Sequence, residues 1–366
     1  MLLQTSPYLM VLKDIFNKNK SMVRDFLYNK DHDIRYLSIL KDCHTPKDYN
    51  QLINCSSKKD IDYLINNKLI ISIEDTWKLT NIENVEIEIC AHCNWRCEYC
   101  PVSTQPKPPK KMSMDLFKQT IDKAVRHKTI KNVTFCFCNE PTLDKFFLER
   151  VKYLTTTDLK LRLHTNGSNL SKDMMNYLKE TDVLAFVCFN LPSVVQDEFE
   201  KMTRYSNLDK VLRNIDYALG IGLPVTFSIQ GTKKELEHNL PHIQQRFKEK
   251  FNKINSWETF DRAGLLDNRY CQNVNINGKL YGGCNWILNW LNVSVNGECY
   301  LCYNDYHQNY VLGNIADGEI EDILLTEKAI SLRQYVFGKK EPDKDFICRK
   351  CITMKRAKLL SRFIKA

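Results

Sequence analysis

From residue 81 onward the sequence alternates between strand-like and helix-like segments, and this alternation constrains the fold more than any other feature. Val85, Ile87 and Ile89 recur at every second position, which is the period of a β-strand. Further strands are predicted at residues 133–137, 159–164, 183–189, 225–229 and 253–257. Helical spacing of apolar residues fills the segments between them. The pattern therefore predicts an α/β fold with a parallel sheet, a partial (β/α)6 TIM-like barrel whose chemistry lies at the carboxyl ends of the strands.

The segments on either side of this barrel, which we place at residues 81–265, have different patterns. Residues 1–80 predict short helices at 35–41, 47–53 and 60–67, with Thr45 and Ser57 as start signals, and then two strands at 69–73 and 77–79. Helices followed by a β-ribbon are typical of a winged-helix domain, and a structural appendage is the alternative. Residues 266–366 are rich in Gly, Asn and Cys and predict a loop-rich, cysteine-containing domain.

The 15 cysteines in 366 residues stand out because nothing else in the sequence indicates secretion. We find neither an apolar run of about 18 residues nor a signal peptide, and we expect a cytoplasmic protein without membrane segments. In a reducing compartment, metal ligation, catalysis and burial explain thiols better than disulfides do. The net charge of +9 is scattered along the chain, so we expect no nucleic-acid partner.

Three of the cysteines follow the first barrel strand at C-x3-C-x2-C spacing. Cys93, Cys97 and Cys100 can bind three irons of a cubane cluster and leave the fourth iron open. A zinc site completed by His92 or Cys90 and a fortuitous grouping are the alternatives. The triplet resembles the signature of the radical SAM enzymes, in which the open iron binds S-adenosylmethionine.

This resemblance implies a set of cofactor-binding residues at the ends of the barrel strands. Residues 138–141 occupy the place of a family turn of glycine-glycine-glutamate-proline type, and residues 165–167 resemble its threonine-asparagine-glycine turn. The resemblance assigns S-adenosylmethionine contacts to Tyr99, Cys138, Asn139, Glu140, Thr165, Asn190, Ser193 and Arg204. The alternatives are that Asn190 caps a turn and that Arg204 lies on a solvated face.

A second group of cysteines lies near the C-terminus. Cys284, Cys302, Cys348 and Cys351 resemble the twitch or SPASM domain of some radical SAM enzymes, which implies an auxiliary [4Fe-4S] cluster with four protein ligands. Zinc is the alternative, because two cysteines separated by two residues also form half of a zinc knuckle. Cys271 lies just before this group, and we consider it as a hydrogen-atom donor in catalysis, with simple burial as the alternative.

These resemblances imply an enzyme that reductively cleaves S-adenosylmethionine to a 5′-deoxyadenosyl radical and removes a substrate hydrogen atom. The N-terminal pattern is similar to leader-recognition domains, so the favoured substrate is a ribosomally synthesised precursor peptide that undergoes oxidative crosslinking or epimerisation. A low-potential flavodoxin or ferredoxin would supply the electron. The alternatives are a dehydrogenase of a small aminoglycoside-like substrate, an RNA-modifying enzyme and a zinc-binding winged-helix regulator.

Overall fold

The chain divides into two compact units. The computed structural model describes residues 2–5, 9–13, 21–25, 39–40, 42–43, 46–66, 69–78, 80–248, 250–278, 280, 283–284 and 286–355. The small unit comprises Met1–Asn81, Val274–Asn289 and Leu324–Ala366, and the large unit comprises Ile82–Asn273 and Trp290–Ile323.

As far as the structure describes it, the N-terminal part of the small unit combines short strands with helices. Its strands are β1 (Leu2–Thr5), β2 (Leu9–Lys13), β3 (Ser21–Asp25), β4 (Lys47–Asp48) and β5 (Ile70–Ser72). The helices are α1 (Tyr49–Cys55) and α2 (Lys58–Asn66). The strands form an antiparallel β4-β1-β5 sheet and a β2-β3 hairpin. Leu3, Leu52, Ile61 and Leu64 are fully buried and form a core between the sheet and the helices.

This part departs from the predicted winged helix in two places. Strand β5 pairs with β1 and not with residues 77–78, because hydrogen bonds to the Ser72 carbonyl from Asp75 and Thr76 close a turn directly after β5. Helix α1 begins at Tyr49, capped by Asp48, whose carboxylate accepts from Gln51 N at 2.9 Å. The predicted helix at 35–41 and the predicted start signal at Thr45 lie largely outside the described residues.

The large unit is built on one nine-stranded sheet in the order β11-β10-β9-β8-β7-β6-β12-β13-β14. Its strands are β6 (Asn84–Ile87), β7 (Asn132–Phe135), β8 (Lys160–Thr165), β9 (Leu184–Asn190), β10 (Val225–Gly231), β11 (Lys253–Glu258), β12 (Trp290–Val293), β13 (Glu298–Tyr300) and β14 (Val311–Asn314). Strands β6 to β11 are parallel and lie side by side in chain order. The predicted α/β fold with a partial barrel is therefore confirmed, and β12 extends it by pairing parallel to β6.

Helices follow the parallel strands as the sequence predicts. They are α3 (Met114–Arg126), α4 (Phe147–Leu154), α5 (Lys172–Glu180), α6 (Gln196–Thr203), α7 (Leu208–Gly220) and α8 (Lys233–Phe247). Ser113, Ser171 and Thr232 cap α3, α5 and α8 through their hydroxyl oxygens. Phe117 of α3 packs edge-on against Phe135 of β7, with ring centroids 5.7 Å apart, so the apolar face of the helix covers the sheet.

Three further helices with described bounds lie in the C-terminal part of the chain: α9 (Trp286–Asn289), α10 (Ile320–Leu324) and α11 (Glu327–Val336). A 3-10 turn at Ile347–Lys350 follows them. Among the described residues, we find no helix that is both long and apolar enough to cross a lipid bilayer.

Candidate active site

The Cys93–Cys97–Cys100 loop follows β6 at the carboxyl end of the parallel sheet. Cys97 is 7% exposed and the other two thiols are half-buried. Burial, together with the neighbouring Cys100 and Cys93 thiols, raises the pKa of Cys97 well above its usual value. Such thiols become thiolates when a metal replaces their protons.

The donor set fits an iron–sulfur cubane with one open iron. Within the described ranges, no three His, Cys, Asp or Glu side chains converge as a site for a single metal ion. A cubane requires a different arrangement, because each thiolate binds a different iron.

Packing and backbone hydrogen bonds hold this loop in place. Trp95 is 1% exposed and lies 5.1 Å from Phe199 and 5.4 Å from Tyr205, measured between ring centroids. Arg96 N donates to Thr203 O at 3.0 Å, at the end of α6. These contacts with α6 and Tyr205 therefore hold the loop in position.

Glu140 joins the turns after β7 and β8. Its carboxylate is buried and accepts from Thr142 N at 3.1 Å, Thr142 Oγ1 at 2.5 Å, Thr165 Oγ1 at 2.7 Å and Asn166 N at 2.6 Å. Burial raises its pKa, and these hydrogen bonds oppose the shift. Both carboxylate oxygens already accept hydrogen bonds, so Glu140 holds the two turns together in this structure. Thr165 takes part in the same hydrogen-bond network.

The turn after β8 is tied to the cysteine loop. Asn166 Nδ2 donates to Asn94 Oδ1 at 2.8 Å and lies 3.8 Å from Cys93 Sγ. Asn94 in turn donates to Ser168 Oγ at 2.8 Å. Sequence reasoning missed Asn94, although its place between two of the cysteines was a signal.

Tyr99 and Asn190 meet at the end of β9. Asn190 Nδ2 donates to the Tyr99 hydroxyl at 2.9 Å. The Oδ1 atoms of Asn190 and Asn139 and the Nδ1 atom of His92 are buried without a hydrogen-bond partner. Unpartnered polar atoms beside the cysteine loop suit a polar ligand such as S-adenosylmethionine, because burial without a partner is costly.

Cys138 contacts the cysteine loop through its side chain. It packs with Val102 and Tyr306 in a group that also includes Cys93 and Cys100. A hydrogen bond with Cys138 lowers the pKa of Cys100.

Ser193 and Arg204 are not among the residues that pack around Cys138 and the cysteine loop. The buried Ser193 hydroxyl donates to Glu198 Oε2 at 2.9 Å and accepts from Val195 N. Arg204 is exposed and caps α6 with φ of 54°. Cofactor contacts by these two residues remain predictions.

The remaining predicted site residues are distributed over both units. Cys284, Cys348 and Cys351 belong to the small unit, and Cys302 and Cys271 belong to the large unit. Burial raises the pKa of Cys284 to about 11, and the nearby Cys351 thiol adds to the shift. Cys271 is half-buried, with its thiol 3.3 Å from Asn273 Oδ1.

Arg349 fixes the chain between two of these cysteines. It is buried, and its guanidinium donates to the carbonyls of Ile276 at 2.9 Å and Gly278 at 2.6 Å. The segment that carries Cys348 and Cys351 is thereby joined to the segment that leads to Cys284. The set of four ligands that includes Cys302 remains a prediction.

Two family models match this chain. Residues 87–258 match the model of the radical SAM superfamily, and residues 284–352 match that of the SPASM iron–sulfur cluster-binding domain. The chain is therefore an enzyme with a radical SAM domain and a SPASM domain. Its cofactors are a SAM-binding iron–sulfur cluster, an auxiliary cluster and S-adenosylmethionine.

Individual relatives are distant. The S-adenosyl-L-methionine-dependent 2-deoxy-scyllo-inosamine dehydrogenase of Niallia circulans is 23% identical over 272 residues, which cover 73% of this chain and 91% of that protein. The tungsten-containing aldehyde ferredoxin oxidoreductase cofactor-modifying protein of Pyrococcus furiosus is 31% identical over 97 residues, 26% of this chain and 27% of that protein. Streptococcus suis SuiB bound to its precursor peptide SuiA has the same fold, with a TM-score of 0.60, 12% identity, and coverage of 97% of this chain and 94% of SuiB.

Proposed function

We propose that this enzyme modifies a ribosomally synthesised precursor peptide. The observation that carries the proposal is the fold likeness to peptide-bound SuiB, which extends over 97% of this chain and so includes most of the N-terminal residues. Strand β5 stands at an edge of the β4-β1-β5 sheet. An extended leader peptide binds such an edge by adding a strand, through main-chain hydrogen bonds.

The chain's own residues provide the reaction site. Cys93, Cys97 and Cys100 would hold the cluster, and the unpartnered atoms of Asn139 and Asn190 would bind S-adenosylmethionine. When bound, these cofactors supply a carbon radical that removes hydrogen from an unactivated C–H bond. The loops, held by their hydrogen bonds and ring contacts, would orient the reactants, and the barrel interior would exclude water.

The SPASM match favours net oxidation of the substrate, such as a crosslink, over epimerisation. We assign Cys284, Cys302, Cys348 and Cys351 to the auxiliary cluster, because the matched residues 284–352 span all four. A low-potential flavodoxin or ferredoxin would deliver the electron in the cytoplasm. Epimerisation would instead require a thiol donor such as Cys271, and Cys271→Ala with unchanged product would exclude that role.

Peptide capture tests the substrate class. The tagged chain is recovered anaerobically from its own cell lysate, and bound peptides are identified by mass spectrometry, with a chain lacking residues 1–80 as the control. We expect a short peptide that only the full-length chain retains. Equal recovery from both chains, or no peptide at all, would contradict leader recognition.

Oxidation of a small molecule is the second candidate. The dehydrogenase of Niallia circulans favours it, because the match covers 91% of that protein. The same match leaves about a quarter of this chain without a counterpart, which is the reason to prefer the peptide. If the enzyme consumed an amino sugar in an assay without peptide, oxidation of a small molecule would become the preferred function.

A further inference from the structure

Arg262 lies beyond the carboxyl end of β11 on a strained turn. Arg262, Ala263 and Gly264 have φ values of 52°, 58° and 82°, so three successive residues are left-handed and two of them are not glycine. A non-glycine residue is strained in this backbone region, and such strain concentrates at ligand-binding sites. Asp261 closes the turn by accepting from Gln272 N at 3.0 Å.

The Arg262 guanidinium is held by aromatic rings. Its central carbon lies 5.1 Å from the Phe260 ring and 5.6 Å from the Tyr303 ring. Aromatic faces attract the cation, but they do not accept conventional hydrogen bonds from its N–H groups as an oxygen atom does. Within the described part of the chain, Arg262 makes no hydrogen bond and no ion pair with a carboxylate, so its N–H donors remain available.

This arginine lies near the cysteine loop. Leu265, three residues later, packs against the Val102, Cys138 and Tyr306 group that adjoins Cys100. Arg262 is close enough to Cys100 and Cys138 for its charge to act on both thiols.

Glu86 is a buried acid on which the charge of Arg262 acts. Burial raises the pKa of Glu86 to about 8, so it is protonated at neutral pH. It therefore provides no permanent counter-ion for the guanidinium.

We propose that Arg262 binds a carboxylate of the peptide substrate, from an acidic side chain or the C-terminus, and so positions the reacting residue beside the cofactor. A guanidinium suits this role because its planar fork pairs with a carboxylate through two parallel hydrogen bonds. The inference rests on the proposed function and narrows the substrate to a peptide with a carboxylate near the modified position.

A binding experiment tests this role without turnover. N-acetyl-glutamate methylamide, its glutamine analogue and inorganic phosphate are titrated against the reconstituted full-length protein with S-adenosylmethionine present, and binding is followed by ligand-observed NMR. We expect the glutamate probe to bind at least about tenfold more tightly than the glutamine probe. Arg262→Gln should remove the difference, Arg262→Lys should retain part of it, and exposed Arg213→Gln should leave it unchanged.

Three outcomes would overturn the assignment. These are equal binding of the glutamate and glutamine probes to the unaltered protein, tighter binding of phosphate than of glutamate, and a tenfold loss of S-adenosylmethionine affinity in Arg262→Gln, which would assign the arginine to the cofactor. The first two use the unaltered protein, so they hold even if the variant fails to fold. If the capture experiment retained no peptide but the protein still bound the glutamate probe more tightly than the glutamine probe, only the peptide function would be contradicted.

Discussion

Gly167 occupies a turn that leaves no room for a side chain. Its φ is 74°, and a Cβ atom there would lie 2.8 Å from Phe189 Cδ1. We expect Gly167→Ala to lower the free energy of unfolding by about 1–3 kcal/mol, because it combines backbone strain with a steric clash. Anaerobic denaturant titration measures the change. Gly220→Ala is the matched control, since a Cβ at Gly220 would meet nothing within 4 Å, and an equal loss in both variants would contradict the argument.

Glu86 gives the stability of the protein a dependence on pH. Burial raises its pKa to about 8 in the folded chain, opposed by Arg262, against a usual value of 4.5. Between these values the folded state binds more protons, so the carboxyl group stabilises the fold at low pH and loses that contribution as pH rises through about 8.

We therefore expect Glu86→Gln to gain stability relative to the unaltered chain as pH rises from 5.5 to 7.5. The upper limit is about 1.4 kcal/mol per pH unit, because one pKa unit corresponds to that free energy. Denaturant titrations at 5.5, 6.5 and 7.5 measure the difference, and exposed Glu149→Gln is the control. A constant difference across these pH values would show that Glu86 does not titrate in this range.

At the scale of elements, the cysteine loop depends on α6 and the residues that follow it. Trp95 is buried against Phe199 and Tyr205, and truncation of a buried Trp costs about 3–5 kcal/mol. We expect Trp95→Ala to retain much less iron after desalting, because the loop loses its anchor, whereas Trp95→Phe retains most of it. Iron and acid-labile sulfide per chain provide the measurement. Equal iron in both variants would show that the thiols find their positions without the tryptophan.

Local signals in the sequence predicted the elements of the barrel, and long-range contacts decided the rest. The period-two strands and Ser or Thr helix caps act over a few residues, so the six parallel strands and the Cys93 loop could be predicted. The partner of β5 could not, because a strand of three residues pairs with whichever edge the tertiary fold brings to it. Arg262 was missed because its significance comes from Tyr303, which is distant in sequence, although its position after the sixth barrel strand was a usable signal.

For the whole molecule, the number of bound irons tests the assignment of seven cysteines to two clusters. Two cubanes require about eight irons per chain, and loss of the auxiliary cluster would leave about four. We expect Cys348→Ala combined with Cys351→Ala to produce this decrease while the chain still cleaves S-adenosylmethionine, because Cys93, Cys97 and Cys100 are unchanged. Cys299→Ala, which removes a buried thiol of β13, is the control and should keep the full iron content.

The same measurement separates the auxiliary cluster from zinc. About four irons and one zinc in the unaltered chain, with the zinc lost in the double variant, would assign the C-terminal cysteines to a structural zinc site. The product formed by the double variant tests the role of the auxiliary cluster. If net oxidation requires the auxiliary cluster, the double variant should consume S-adenosylmethionine without forming oxidised peptide. Oxidised product from a chain with only about four irons would show that the electron leaves the substrate by another route.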